Sequence, residues 1–200
     1  MNRSASTPRL RATQLLFLVL LLASAFVGTV DLSPAVDLLL RLTALLLVAA
    51  ACLGRIWCSA FIAGQKDVAL VQTGPYSILR HPLYALSFIA ACGLALATRS
   101  AVLALVAIVA VSLLLASAAR AEERMLAQRF ASDWPAYSAA TPRWWPRFGH
   151  YHLPQRVTLP PSVFWKAFLD AGAMLLLFVL IDAAATLRIA GLTPKLLALP

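Results

Sequence analysis

Two polar patches interrupt an otherwise apolar chain, and both contain residue types that could bind a charged ligand. The first patch runs from Gly64 to Tyr84 and contains Arg80-His81-Pro82, and proline is favoured in the first turn of a helix. A helix N-terminus presents free N–H groups and a partial positive charge, so Arg80 and His81 beside it could hold a carboxylate or a phosphate. The alternative is a basic cap on a membrane helix, with His81 facing lipid headgroups.

The second patch contains two adjacent carboxylates, Glu122 and Glu123, in a basic neighbourhood. Neighbouring residues on a helix point about 100° apart, so at most one of the two can point straight into a shared site. Such a carboxylate could accept hydrogen bonds from a ribose diol or stabilise a nearby cation. The alternative is a set of surface ion pairs with Arg120 or Arg124, which would contribute little to stability.

An aromatic segment follows the second patch. Trp144 and Trp145 are typical of the aromatic belt that membrane proteins place at the lipid–water interface. Trp134 and Tyr137 could instead line a wall beside a positively charged ligand.

The histidines and cysteines do not predict a metal site. His150 and His152 have no acidic or cysteine partner at ligand spacing. Cys52, Cys58 and Cys92 all lie inside apolar runs, so neither a disulfide framework nor a metal-binding cysteine knuckle is expected.

The composition identifies an integral membrane protein. Of 200 residues, 62% are hydrophobic and only 12% are charged, which excludes both a water-soluble enzyme and a disordered chain. The formal charge is +9, but the cations flank apolar stretches, as expected for loops that face anionic lipid. Membrane lipids are therefore the expected partners, and nucleic acid is not.

The predicted fold is an all-α membrane bundle of about five transmembrane helices. A spanning helix needs ~20 mostly apolar residues. The stretches that qualify or nearly do are about 15–30, 36–62, 82–97, 101–119 and 163–185. In the second stretch, Asp37 could pair with Arg41 one helical turn later.

The distribution of lysine and arginine predicts the orientation. Most of these residues lie before the first span, in 64–81 and in 120–166. Because cytoplasmic loops carry the excess of positive charge, the N-terminus and both polar patches are predicted to face the cytoplasm. The first apolar run, followed by Ala23-Ser24-Ala25, could instead be a cleavable signal peptide.

The order of the motifs resembles a known enzyme family. The chain reads Gly-x-Tyr-x-x-x-Arg-His-Pro-x-Tyr from Gly74 to Tyr84, then Glu-Glu-x-x-Leu from Glu122 to Leu126, with two apolar stretches between them. This pairing resembles the isoprenylcysteine carboxyl methyltransferase family, part of a wider group that includes phospholipid methyltransferases. The resemblance covers about 65–146. It divides the chain into two N-terminal helices (1–63), a methyltransferase core (64–148), and an interfacial segment with a C-terminal helix (149–200).

The resemblance implies an S-adenosylmethionine-dependent methyltransferase whose cofactor pocket opens to the cytoplasm. The residues onto which it carries cofactor binding are Gly74, Tyr76, Arg80, His81, Tyr84, Glu122, Glu123 and Tyr137. Eukaryotic prenylcysteine enzymes tend to have arginine where this chain has Ala140, and Arg143 is the substitute that the sequence offers.

A carboxylate is already nucleophilic at neutral pH, so its methylation needs alignment more than a strong base. Arg143 or Arg80 is expected to orient an acidic, lipophilic acceptor that enters from the bilayer, and these two arginines are the predicted catalytic residues. Phospholipid and small-thiol acceptors are the alternatives within this chemistry. An NADPH-dependent enzyme resembling sterol reductases and a non-catalytic membrane scaffold are the alternatives outside it.

Overall fold

Helices dominate the computed structural model, which describes residues 6–28, 32–65, 68–157, 159–192 and 197–198. The α-helices are α1 (Ser6–Phe26), α2 (Pro34–Ile62), α3 (Pro75–Ile78), α4 (Pro82–Ala97), α5 (Ala101–Arg129), α6 (Trp134–Ala140) and α7 (Pro161–Ile189). A 3₁₀ helix covers Phe148–His150, and the two-residue strands β1 (Val27–Gly28) and β2 (Leu197–Ala198) pair in parallel. The predicted all-α class is confirmed.

Proline sets the start of several of these helices. Pro34, Pro75, Pro82 and Pro161 each occupy the first position of a helix. The missing proline N–H costs nothing there, because the first N–H groups of a helix have no partner within it, and the fixed φ angle suits the first turn. Four helix starts therefore follow directly from the sequence.

Three helices are long and apolar enough to cross a bilayer within the described ranges, namely α2, α5 and α7. Each has 29 residues, which at about 1.5 Å per residue exceeds a hydrocarbon core of roughly 30 Å. The predicted first and third spans form helices as well, but their apolar parts, Leu15–Phe26 and Pro82–Ala97, are shorter. The first helix ends at Phe26 rather than near residue 30, because β1 follows it at once.

Helix α5 continues beyond its apolar part. The predicted fourth span ends at Ala119, whereas the helix runs on to Arg129 without a break. We call the residues from Arg120 to Arg129 the polar extension of α5. It carries both carboxylates of the second polar patch on a rigid element.

The chain forms two compact units. The first comprises Met1–Ala50, Phe88–Leu114 and Ala173–Pro200, and the second comprises Ala51–Ser87 and Leu115–Gly172. All eight predicted cofactor-binding residues and Arg143 belong to the second unit.

An ion network lies in the first unit. Arg99, whose side chain is only 1% exposed, places its Nε 2.8 Å from the Asp37 carboxylate and binds Asp182 through Nη2. Arg41 pairs with the other oxygen of Asp182 at 3.0 Å. The predicted pair between Asp37 and Arg41 is wrong. The buried guanidinium of Arg99 needs carboxylate partners, and it forms ion pairs with Asp37 and Asp182.

Candidate functional site

Within the first polar patch, the turn at Gly74 needs a glycine, because any other residue there would be strained. Gly74 has a φ of +59°, a conformation that residues with a side chain rarely adopt. A Cβ atom at this position would lie 2.3 Å from the ring of Phe61. The Gly74 N–H donates to the carbonyl of His152 at 2.8 Å, so the turn is also held from outside.

Arg80 joins the first patch to the last turn of α6 and to the segment that follows it. Its Nε donates to the carbonyl of Thr141 and its Nη2 to the carbonyl of Ser138, both at 2.7 Å. Its backbone N–H donates to the carbonyl of Pro142 at 3.0 Å. Main chain and side chain of one residue thus hold the two segments together.

Glu123 is the acceptor at which both polar patches meet. Its Oε1 accepts hydrogen bonds from Arg143 Nε at 2.9 Å, His81 Nε2 at 3.0 Å and Arg80 Nη1 at 3.2 Å. Its Oε2 is bound by Arg143 Nη2, which makes the contact with Arg143 bidentate. We call these four residues the Glu123 cluster. The Glu123 side chain is only 13% exposed, so the cluster differs from an ordinary surface ion pair.

Glu122 takes a different position from its neighbour. One of its oxygens lies 3.8 Å from Nδ1 of His81, and its side chain is 34% exposed. The rotation between adjacent helical residues directs Glu123 into the cluster and leaves Glu122 at its edge, as the sequence predicted for a carboxylate pair. Arg80, His81 and Arg143 are the partners of Glu123, and neither Arg120 nor Arg124, which the surface-pair alternative named beside other surface cations, forms an ion pair with it.

Two buried tyrosines pack behind the cluster. The Tyr137 hydroxyl donates to the carbonyl of Tyr76 at 2.9 Å. Burial raises the pKa of both phenols above its ordinary value, so both hydroxyls stay neutral and able to donate. The Tyr76 hydroxyl is buried and has no hydrogen-bond partner in the part of the chain that the structure describes.

His81 carries the aromatic contacts of the site. Its ring stacks on that of Tyr84, with centroids 5.4 Å apart and planes 24° apart. Trp144, which the sequence assigned to an interfacial belt, also lies near His81, at 6.1 Å between ring centroids. No pattern in the sequence predicts this contact, because it depends on how the chain turns back after α6.

A wide, largely open cavity of about 660 Å³ lies beside the Glu123 cluster, a volume within the range of small-molecule sites. It is lined by Arg80, Arg120, Glu123, Arg124, Ala127, Trp134, Ser138 and Arg143. The four lining residues from α5 follow the i, i+3, i+4, i+7 pattern of a single helix face. This spacing is visible in the sequence and could have pointed to Arg120 and Arg124 as site residues.

The structure brings some of the predicted residues together and separates others. Arg80, His81, Glu122, Glu123 and Arg143 form one group, and Tyr84 stacks on it. Gly74, Tyr76 and Tyr84 do not line the cavity, and Tyr137 lines a neighbouring one of about 420 Å³. The role assigned to each residue in catalysis or cofactor binding stays a prediction.

No group of three or more histidine, cysteine, aspartate or glutamate side chains suited to a metal ion occurs among the residues whose structure is described. His150 and His152 line the cavity of about 420 Å³ together with Tyr137.

Comparisons with known proteins agree with the motifs. The sequence pattern of the phospholipid methyltransferase family matches residues 35–133. A nickel-cobalt-cadmium resistance protein of Alcaligenes xylosoxydans xylosoxydans is 31% identical over 153 residues, which are 76% of this chain and 71% of that protein. A cobalt-zinc-cadmium resistance protein of Cupriavidus metallidurans is 33% identical over 144 residues, which are 72% of this chain and 66% of that protein. No solved structure matches.

Proposed function

Because this chain belongs to the phospholipid methyltransferase family, we propose that it transfers the methyl group of S-adenosylmethionine to a lipophilic acceptor at the membrane. The observation that carries the proposal is the Glu123 cluster. Three donors hold one carboxylate at the wall of a cavity large enough for a nucleoside. We propose that this cavity faces the cytoplasm, in keeping with the surplus of lysine and arginine around it.

The residues around the cavity suit the chemical groups of this cofactor. Glu123 and Glu122 offer carboxylate oxygens to a ribose diol or an ammonium group. Trp134 offers an aromatic face on which adenine can stack or a sulfonium can rest. When bound, the cofactor supplies a methyl group that is activated by a positively charged sulfur.

The charge of the cavity favours an acidic acceptor. Its lining contains four arginines but one glutamate, and two of those arginines already bind that glutamate. A carboxylate fits such a surplus of positive charge and needs no deprotonation before it reacts. We therefore propose carboxyl O-methylation of an isoprenylcysteine-like or other lipophilic acid. A protonated amine, as on a phospholipid headgroup, would have to lose a proton before it could accept the methyl group.

Titration of the detergent-solubilised chain with S-adenosylhomocysteine and with NADPH tests the proposal. We expect saturable binding of S-adenosylhomocysteine, measured by calorimetry, and no binding of NADPH. Binding of NADPH alone would favour a reductase. Binding of neither ligand would favour a non-catalytic scaffold and contradict the proposal.

The names of the two relatives support a second proposal, which concerns the role of this chain in the cell. Both are called resistance proteins for cobalt and cadmium, one of them also for nickel and the other also for zinc. We propose that methylation by this chain contributes to tolerance of such metals. Expression in a metal-sensitive host should raise the concentration of Co²⁺ or Cd²⁺ that permits growth, and the Glu123→Gln variant should not. Equal protection by the variant would show that the effect does not depend on the Glu123 cluster.

A further inference from the structure

Two of the four arginines that line the 660 Å³ cavity do not form an ion pair with Glu123, its lining carboxylate. Arg80 and Arg143 both bind Glu123. Arg120 and Arg124 line the same cavity, and neither has an acidic partner within ion-pair distance in the described part of the chain. Two positive charges therefore remain at this wall.

Arg120 and Arg124 are held next to each other by the helix. They lie one turn apart in the polar extension of α5 and so share a face. Nε of Arg124 donates to the carbonyl of Arg120 at 3.2 Å, which draws its guanidinium back toward the preceding turn. Like charges at this spacing repel each other, and an anion between them would relieve that repulsion.

The pair also lies where the polar head of a lipophilic molecule would be. Arg120 directly follows Ala119, the last residue of the apolar part of α5. Arginines at the ends of membrane helices reach the interface, where acidic groups of lipophilic molecules are solvated. An acceptor could keep its apolar chain in lipid while its acid enters the cavity.

We propose that Arg120 and Arg124 bind the acidic group of the methyl acceptor, an inference that rests on the proposed function. Arg80 and Arg143 then act as positioning residues that fix Glu123, because their guanidinium groups are already engaged with it.

The chemistry balances with no further co-reactant. A carboxylate oxygen forms a bond to the methyl carbon, the carbon–sulfur bond breaks, and its electron pair stays on sulfur. The products are a methyl ester and S-adenosylhomocysteine, and no proton is transferred. The ester is neutral, so its attraction to Arg120 and Arg124 is lost and the product can leave.

A pair of probes that differ only in charge tests this site. We choose N-acetyl-S-farnesylcysteine, which has a single carboxylate, and its neutral carboxamide. Binding of each to the full chain in phosphatidylcholine nanodiscs is measured by calorimetry at low salt, because exposed ion pairs are screened. We expect the unmodified chain to prefer the acid by at least about tenfold, a ratio within reach of two guanidinium–carboxylate contacts.

Three single variants and one double variant test whether the preference for the acid depends on Arg120 and Arg124 in particular. Arg120→Gln and Arg124→Gln should each reduce the preference for the acid by about threefold to fivefold, and the double variant should abolish it. Arg129→Gln makes the same charge change in the same helix, but Arg129 does not line the cavity, so the preference should persist. In turnover, the double variant should raise KM for the acid and leave kcat nearly unchanged.

The outcomes also distinguish this inference from the proposed function. Equal affinity of the unmodified chain for acid and amide would overturn the anion site, as would an equal loss in Arg129→Gln. Binding of S-adenosylhomocysteine is measured in parallel on every variant, and Arg129→Gln, which lies outside the cavity lining, should retain it. If no variant binds it but the preference for the acid follows Arg120 and Arg124, the proposed function fails and the anion site stands.

Discussion

Glu123→Gln is expected to lower the rate of methyl transfer by about a hundredfold and the affinity for S-adenosylhomocysteine by at least about tenfold. The amide keeps the shape of the side chain but loses its charge. Arg80 and Arg143 would then lose the carboxylate that both bind, and the remaining Glu122 lies near His81 rather than near these two arginines. Removing one charged partner from such a cluster destabilises the fold, because the remaining charges lose their compensating charge.

The neighbouring carboxylate provides the matched control for this variant. Glu122→Gln makes the same chemical change one residue earlier, on a side chain that is 34% exposed and lies 3.8 Å from His81. We expect it to reduce affinity and rate by less than about fivefold. A larger effect at Glu122 than at Glu123 would contradict the assignment of the central role to Glu123.

A second variant separates loss of folding from loss of binding. Glu123→Gln combined with Arg143→Gln removes one positive charge together with the negative one. The double variant should regain much of the thermal stability lost in Glu123→Gln, because the two residues are direct partners. It should not regain affinity for S-adenosylhomocysteine, and a full recovery would show that Glu123 only supports the fold.

Asp182→Asn is expected to destabilise the chain by about 3–5 kcal/mol, the range for breaking a buried ion pair. Asp182 binds both Arg99 and Arg41, and the Arg99 side chain is 1% exposed. Arg99 also has a φ of +53°, an uncommon conformation for a residue with a side chain. It persists when surrounding contacts enforce it, and Asp182 supplies one of those contacts.

Thermal unfolding in nanodiscs measures this effect against a control in the same helix. Asp170→Asn changes an exposed aspartate of α7, and Asp170 has no ion-pair partner in the described ranges. We expect a change below about 0.5 kcal/mol there. If the two variants melt alike, the ion network of the first unit does not contribute to stability as its burial indicates.

The sequence predicted the elements and the meeting of two distant motifs more reliably than individual contacts. The length of the apolar stretches and the prolines at the first helical positions predict the helices. The order of the motifs predicts the family. Which of the two glutamates occupies the centre depends on the rotation of α5, which spacing alone leaves open. The contact of Arg143 with Glu123 depends on the fold of an irregular segment, for which no periodicity exists.

The failed pair of Asp37 and Arg41 shows the limit of local rules. One turn apart on a helix, opposite charges normally attract each other by a few tenths of a kcal/mol. A buried arginine from elsewhere in the chain needs its carboxylate partners far more strongly. Asp37 therefore forms its ion pair with Arg99, and Arg41 forms its ion pair with Asp182. Nothing in the local sequence around Asp37 indicates this partner.

The hydrogen bonds around Arg80 have a consequence for exchanging parts between relatives. Residues 74–80 and 138–152 are joined by bonds from Arg80 to Ser138, Thr141 and Pro142, and by bonds from Gly74 to His152 and from Arg147 to Ile78. The second segment lies beyond residue 133, where the family match ends. All of these bonds are accepted by main-chain carbonyls, so a chimera that grafts one of the two segments from a metal-resistance relative keeps them only if it keeps Arg80 and the backbone path of both segments.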